Sequence, residues 1–313
     1  MLPAYFYCMK NIQQLDVAIV GGASAGLAAA LILGRSIRKT VVFDTGEPRN
    51  KPAAHAHNVF TRDGVSPLEI LHIGREQLKA YPSVTIAQDK VISAAKEDSG
   101  FRLETASGES YIARKVILAT GVKDILPEIK GIHALWGDKV VHCPYCHGWE
   151  MKNTPMALIG NDDMAYHLIT TIYNLNKDLT VFTNGQCAFS AEQQAKLQQR
   201  GIGLIETPVT AVEDAADGIR LILADGTVHH KHGAYVRAVR IEYHTALAVQ
   251  LGCELEEAGS VKVDEFQQTT IPGVFAAGDV AHPMFHQVMA AAAGGLKAGG
   301  MCNGQMVAED FEK

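Results

Sequence analysis

The stretch that decides the fold is LDVAIVGGASAGLAAALILGR, Leu15 to Arg35. Leu15–Val20 is an apolar run of strand length. Gly21-Gly22-Ala23-Ser24-Ala25-Gly26 is a tight small-residue turn, and Leu27–Arg35 is rich in helix formers. Strand, turn and helix in that order open a dinucleotide-binding unit. A second strand, Thr40–Phe43, ends in Asp44, 23 residues beyond Gly21, where an acid binds a ribose hydroxyl. The helix N-terminus offers free N–H groups and the positive end of a dipole to a pyrophosphate. The middle glycine of the motif is Ala23, whose methyl group narrows the approach without closing it.

Two distant segments complete this unit. KVILATGV (Lys115–Val122) is a strand ending in Ala119-Thr120-Gly121. TTIPGVFAAGDV (Thr269–Val280) is a strand ending in Gly278-Asp279, followed by a small-residue helix that begins near Gln287-Val288. Between them lies a second strand–helix–strand pattern: PMALIG (Pro155–Gly160), MAYHLITTIYNL (Met164–Leu175) and LTVFT (Leu179–Thr183). The expected architecture is α/β, with two Rossmann-type three-layer (β/β/α) domains. The first is expected over residues 15–122 and 240–313, and the second, 123–239, is inserted within it.

The second turn reads Gly160-x-Asp162-x-x-Ala165, with an aspartate in the central glycine position. Its Cβ intrudes and its charge repels a pyrophosphate, at a cost on the order of a few kcal/mol in a partly dry site. Past the following strand, Thr183-Asn184-Gly185 supplies neither an arginine for a 2′-phosphate nor an acid for a ribose. The sequence speaks against tight NAD(P)H binding.

Composition narrows the function classes. A formal charge of −6 and a pI near 6.1 give no basic field for nucleic acid or an anionic membrane. No apolar run reaches membrane-span length, because Lys297 interrupts the longest. The N-terminal MLPAYFYCMK lacks the features of a secretory signal. Met9 is an alternative start, and the first fourteen residues read as a loose tail. Of six cysteines, at 8, 143, 146, 187, 253 and 302, only Cys143 and Cys146 are close in sequence. That pattern fits a reducing, cytoplasmic compartment with one redox pair. A zinc site needs a second ligand pair, and none follows at matching spacing, although His142 and His147 flank the motif. No metal is expected.

From Leu15 to about Val307 the chain resembles the low-molecular-weight thioredoxin reductase family. Within it, CPYCHGWE (Cys143–Glu150) and GEPRNKPAAHAHNVFTRDG (Gly46–Gly64) are more similar to the flavin-dependent dithiol oxidases of the gliotoxin and holomycin type. The resemblance implies FAD in the first domain, held by Gly21, Ala23, Ser24, Ala25, Gly26, Asp44, Ala119, Thr120, Gly121, Gly278, Asp279, Gln287 and Val288. Arg49, His57 and Asn58 join them from the 46–64 segment, with His55 nearby. It further implies that Cys146 faces the flavin, that Cys143 exchanges with substrate, and that His147 moves the thiol proton. A homodimer is implied too. The expected partner is a small-molecule dithiol or a thioredoxin-like protein. Dithiol oxidation by O2 leads. NAD(P)H-dependent disulfide reduction and a flavin-binding redox sensor with little turnover are the alternatives.

Overall fold

The computed structural model describes residues 12–238 and 240–313. Cys8 and Met9 lie outside the described residues. Gln13 and Gln14, read above as the end of a tail, belong to the first strand, Gln13–Val20. The chain forms two compact units. Among the described residues, one holds 12–49, Leu68–Lys123 and Glu242–Lys313; the other holds Asn50–Pro67 and Asp124–Ile241. Residues 50–67, which motif spacing assigned to the first domain, fold with the second.

In the first unit the apolar strands line up in parallel in the order Val84–Ala87, Thr40–Phe43, Gln13–Val20, Ser110–Leu118, with Val274–Ala276 against the end of the last. The antiparallel meander Val91–Glu97, Gly100–Thr105, Ser110–Leu118 continues the same seven-stranded sheet through its last strand. Alternate residues of the central strands face opposite layers. Val17, Ile19, Ile117 and Phe275 pack under the helices, while Ala18, Val116 and Leu118 pack toward Phe43 and Leu103. Val20 is paired with both Phe43 and Leu118, and Leu118 with Ala276. That register brings four strand ends, and the turns that follow them, to one edge.

Helices Ser24–Arg35 and Val288–Phe311 cover the sheet and lie unusually close. A Cβ on Gly295 would stand 1.9 Å from the Ala25 carbonyl oxygen, and one on Gly299 would stand 2.6 Å from Ile32 Cγ2. Small residues in the long helix therefore permit backbone approach. Its far end is held by Arg38 and Arg114 on Asp310, and by Lys115 on Glu309.

The second unit repeats the plan. A five-stranded parallel sheet runs Gly203–Ile205, Leu179–Phe182, Met156–Ile159, Gly233–Val236, Val140–Val141. Three antiparallel strands, Val209–Ala215, Gly218–Leu223 and Val228–Lys231, form its other layer, closed by an Asp225-Gly226 turn. Helix Asp163–Leu175 packs on the sheet. Buried Asn176, just past that helix, donates to the carbonyls of Met151 (2.6 Å) and Thr154 (3.1 Å), which fixes the chain after the cysteine pair. Among the described residues no helix is long and apolar enough to cross a membrane.

Candidate active site

The strand ends of the first unit carry the expected dinucleotide residues. Gly21 N–H donates to the Phe43 carbonyl (2.8 Å), Ala119 N–H to Val20 (2.8 Å) and Ala277 N–H to Leu118 (3.0 Å). Gly21 takes φ +108, and a Cβ there would stand 2.1 Å from the Ala119 carbonyl oxygen. A Cβ on Gly26 would stand 1.8 Å from the Gly21 carbonyl oxygen, so the turn closes only with glycine at both ends. Ala23 sits at φ −89, an ordinary conformation, and its methyl group costs no backbone strain.

The first helix has no side chain capping its N-terminus and no acid in its first turn. Its N–H groups are left for a ligand. Asp44 accepts from Gly22 N–H (3.3 Å) and from Arg75 Nη2 (2.6 Å), which leaves lone pairs on both oxygens. Arg49 Nη1 lies 3.1 Å from Asp279 Oδ2 and 2.7 Å from His286 Nδ1. Thr120 and His244 exchange hydrogen bonds: the Thr120 hydroxyl donates to the His244 carbonyl (2.7 Å), and His244 Nδ1 bonds the Thr120 carbonyl (2.9 Å). Gln287 precedes helix Val288–Phe311 and does not cap it with its side chain. Two helix N-termini without side-chain caps, an acid at a strand end and a second acid held by an arginine fit a flavin dinucleotide.

Sequence reasoning missed Arg75, His244 and His286. None sits in a motif, and each reaches the site only because the sheet brings distant segments to one edge.

The cysteine pair lies in the second unit. Cys143 precedes a four-residue helix, Pro144–His147, with proline at its first position. The Cys143 carbonyl accepts from Cys146 N–H (3.1 Å) and His147 N–H (3.2 Å), and the two cysteines form a disulfide with Cα atoms 5.2 Å apart. Gly148 is needed because a Cβ there would meet the Pro144 carbonyl oxygen at 2.3 Å and Leu175 Cδ1 at 2.4 Å. Tyr145 and Trp149 are exposed beside the disulfide, and Lys152 Nζ sits 3.4 Å from the centre of the Trp149 ring. His147 is half-buried, and its Nδ1 is buried with no hydrogen-bond partner. Burial pushes its pKa down, against smaller upward pulls from Glu150 and the Cys143 carbonyl. At neutral pH the ring is neutral and can take a proton.

His57 and Asn58, expected beside the flavin, are placed in the second unit around the redox turn. His57 Nε2 is 3.4 Å from Glu150 Oε1, and Asn58 Nδ2 donates to the Tyr145 carbonyl at 2.8 Å. His55 Nδ1 bonds the Gly64 carbonyl within the same loop (2.9 Å).

The second nucleotide turn is filled by its own side chain. Asp162 caps helix Asp163–Leu175, its Oδ1 accepting from Ala165 N–H at 2.7 Å, and Asp163 adds a second acid to the first turn. Asp162 Oδ2 lies 3.5 Å from Arg237 Nε. At the neighbouring strand end the Thr183 hydroxyl donates to the Gly185 carbonyl (2.6 Å), and Asn184 Oδ1 accepts from Val209 N–H (2.7 Å). Among the described residues no group of three or more histidine, cysteine or acidic side chains is arranged to hold a metal ion.

Residues 15–295 match the family model for pyridine nucleotide-disulphide oxidoreductases. The chain belongs to that family. It is 35% identical to thioredoxin reductase sirT of Leptosphaeria maculans, covering 95% of each chain. It is 36% identical to thioredoxin reductase aclD of Aspergillus oryzae, over 91% of this chain and 95% of the relative. A crystal structure of an oxidoreductase from Agrobacterium tumefaciens superposes with a TM-score of 0.88 at 34% identity, covering 94% of this chain and 99% of the other. Membership makes the protein a redox enzyme acting on disulfides, and it implies FAD as the cofactor.

Proposed function

We propose that this enzyme oxidises dithiols. A substrate dithiol closes to a disulfide as Cys143–Cys146 opens, and the electron pair ends on O2, so that dithiol and O2 become disulfide and hydrogen peroxide. The observation that carries this reading is Asp162. Its carboxylate occupies the helix N-terminus at which a nicotinamide dinucleotide would set its pyrophosphate. Electrons therefore enter through the sulfurs.

The residues divide the work. A substrate thiolate attacks the Cys143 sulfur, Cys146 leaves as thiolate, and the second substrate thiol displaces Cys143 to close the product disulfide. Neutral His147, half-buried at the end of the turn, takes up a thiol proton. The turn Gly21–Gly26, Asp44, Arg49, Ala119–Gly121, Asp279 and the N-terminus at Gln287-Val288 would hold FAD. When bound, FAD supplies the two-electron acceptor that links the dithiol to O2. The substrate is a small-molecule dithiol or a thioredoxin-like protein, and the enzyme works as a homodimer.

Disulfide reduction by NAD(P)H is the second reading, favoured by the family and by relatives named thioredoxin reductases. The experiment that separates them is aerobic. A panel of dithiols is added to the purified holoenzyme while O2 uptake and peroxide are followed. The proposal expects both, in equal amounts and dependent on Cys143. Uptake no greater than that of free flavin would overturn it.

A further inference from the structure

The loop Asn50–Pro67 is built to hold the redox turn. Its base is closed by an antiparallel bridge between Ala56 and Val65, with Ala56 N–H donating to the Val65 carbonyl and Gly64 N–H to the Ala56 carbonyl, both at 2.9 Å. At its tip Asn58 takes φ 59, a left-handed conformation that asparagine tolerates better than most residues. Its N–H donates to Asp63 Oδ1 at 2.7 Å, which aims the side chain outward from the loop. That side chain reaches the carbonyl of Tyr145, the residue just before Cys146. The loop touches the redox segment at two more points: His57 beside Glu150, and Pro52 against Gly137, where a Cβ would come within 2.8 Å.

The acceptors of the turn show why this bond counts. The Cys143 and Pro144 carbonyls are used inside the turn by Cys146, His147 and Gly148 N–H groups. The Tyr145 carbonyl takes its hydrogen bond from Asn58. While the disulfide is closed, a covalent link also fixes the turn. Once it is reduced, with two electrons and two protons added to give two thiols, a four-residue helix has too few internal bonds to keep its own shape.

We propose that Asn58 is a positioning residue of the redox turn, holding the Tyr145 carbonyl so that the reduced cysteines stay poised to re-form their disulfide. Holding the thiols near closing geometry raises their effective concentration and favours the disulfide. The inference rests on the redox role of Cys143–Cys146 in the proposed function, and not on the direction of electron flow.

The test is the thiol–disulfide equilibrium of the holoenzyme in anaerobic dithiothreitol buffers, read by trapping thiols and weighing the protein. Asn58→Gly keeps the left-handed backbone and removes only the donor. Asn58→Asp keeps the backbone preference and sets a carboxylate against the carbonyl. Both shift the equilibrium toward the dithiol, Asn58→Gly by about three- to tenfold and Asn58→Asp by more; tenfold corresponds to about 30 mV. If either variant lowers Tm while the equilibrium matches wild type within about twofold, Asn58 is an ordinary loop anchor and the proposal fails. The two variants guard against one failing to fold. Absence of O2 uptake in the wild type would overturn the oxidase reading and leave this measurement unaffected.

Discussion

Replacing Asp162 with glycine tests whether its carboxylate closes the second nucleotide turn. Glycine serves as a helix cap at a cost of only a few tenths of a kcal/mol relative to aspartate, so the fold is retained. The Ala165 N–H, now bonded to Asp162, becomes free for a ligand. The Asp162 side chain is 53% exposed, so its repulsion of a bound pyrophosphate is screened by water rather than set by a dry interior. At a separation of about 5 Å and a dielectric near that of water, each unit charge contributes about 0.8 kcal/mol, and two phosphates about 1.6 kcal/mol. Removing that term tightens dinucleotide binding by about tenfold. Arg237, released from its ion pair, adds to the gain. The assay is anaerobic titration of wild type and variant with NADH and NADPH, following loss of the visible flavin band. Half-reduction should need about tenfold less dinucleotide in the variant. Rapid bleaching of the wild type by either dinucleotide, or an unchanged requirement in Asp162→Gly, would show that the carboxylate is no barrier.

Three further outcomes follow from the same geometry. Burial holds His147 below the ordinary histidine value of 6.5, and the base form exists above the folded pKa. Dithiol-driven reduction should therefore rise with pH through a value below 6.5 in stopped-flow traces, and His147→Ala should lose that inflection and slow the step by about a hundredfold or more. Gly295→Ala forces a Cβ to within 1.9 Å of the Ala25 carbonyl oxygen, so the two helices must separate. A loss of about 1–3 kcal/mol, read as a lower Tm with lower flavin content, is expected. Burial pushes the Cys302 thiol up to about 12 and raises that of Cys253. Alkylation of the reduced native protein at mildly alkaline pH should label Cys143 and Cys146 and spare Cys302 and Cys253 in peptide maps.

Sequence alone determined the elements and much of the chemistry. Leu15–Arg35 could only be strand, turn and helix, because apolar runs, glycines and helix formers act over a few residues. The Cys143–Cys146 pair and the aspartate in the second turn are local facts of the same kind. Sequence placed Asp162 at the central position of the second turn, but its capping bond to Ala165 and its ion pair with Arg237, 75 residues further on, needed the fold. The loop 50–67 shows the limit most clearly. Its histidines and asparagine lie next to Arg49 in the chain, and nothing in that spacing shows that Asn58 ends on the Tyr145 carbonyl, 87 residues away. A hydrogen bond between remote segments leaves no periodicity and no spacing rule to detect. Its partners become neighbours only when the sheets of the second unit and their connecting loops have packed, and that packing is a property of the whole unit.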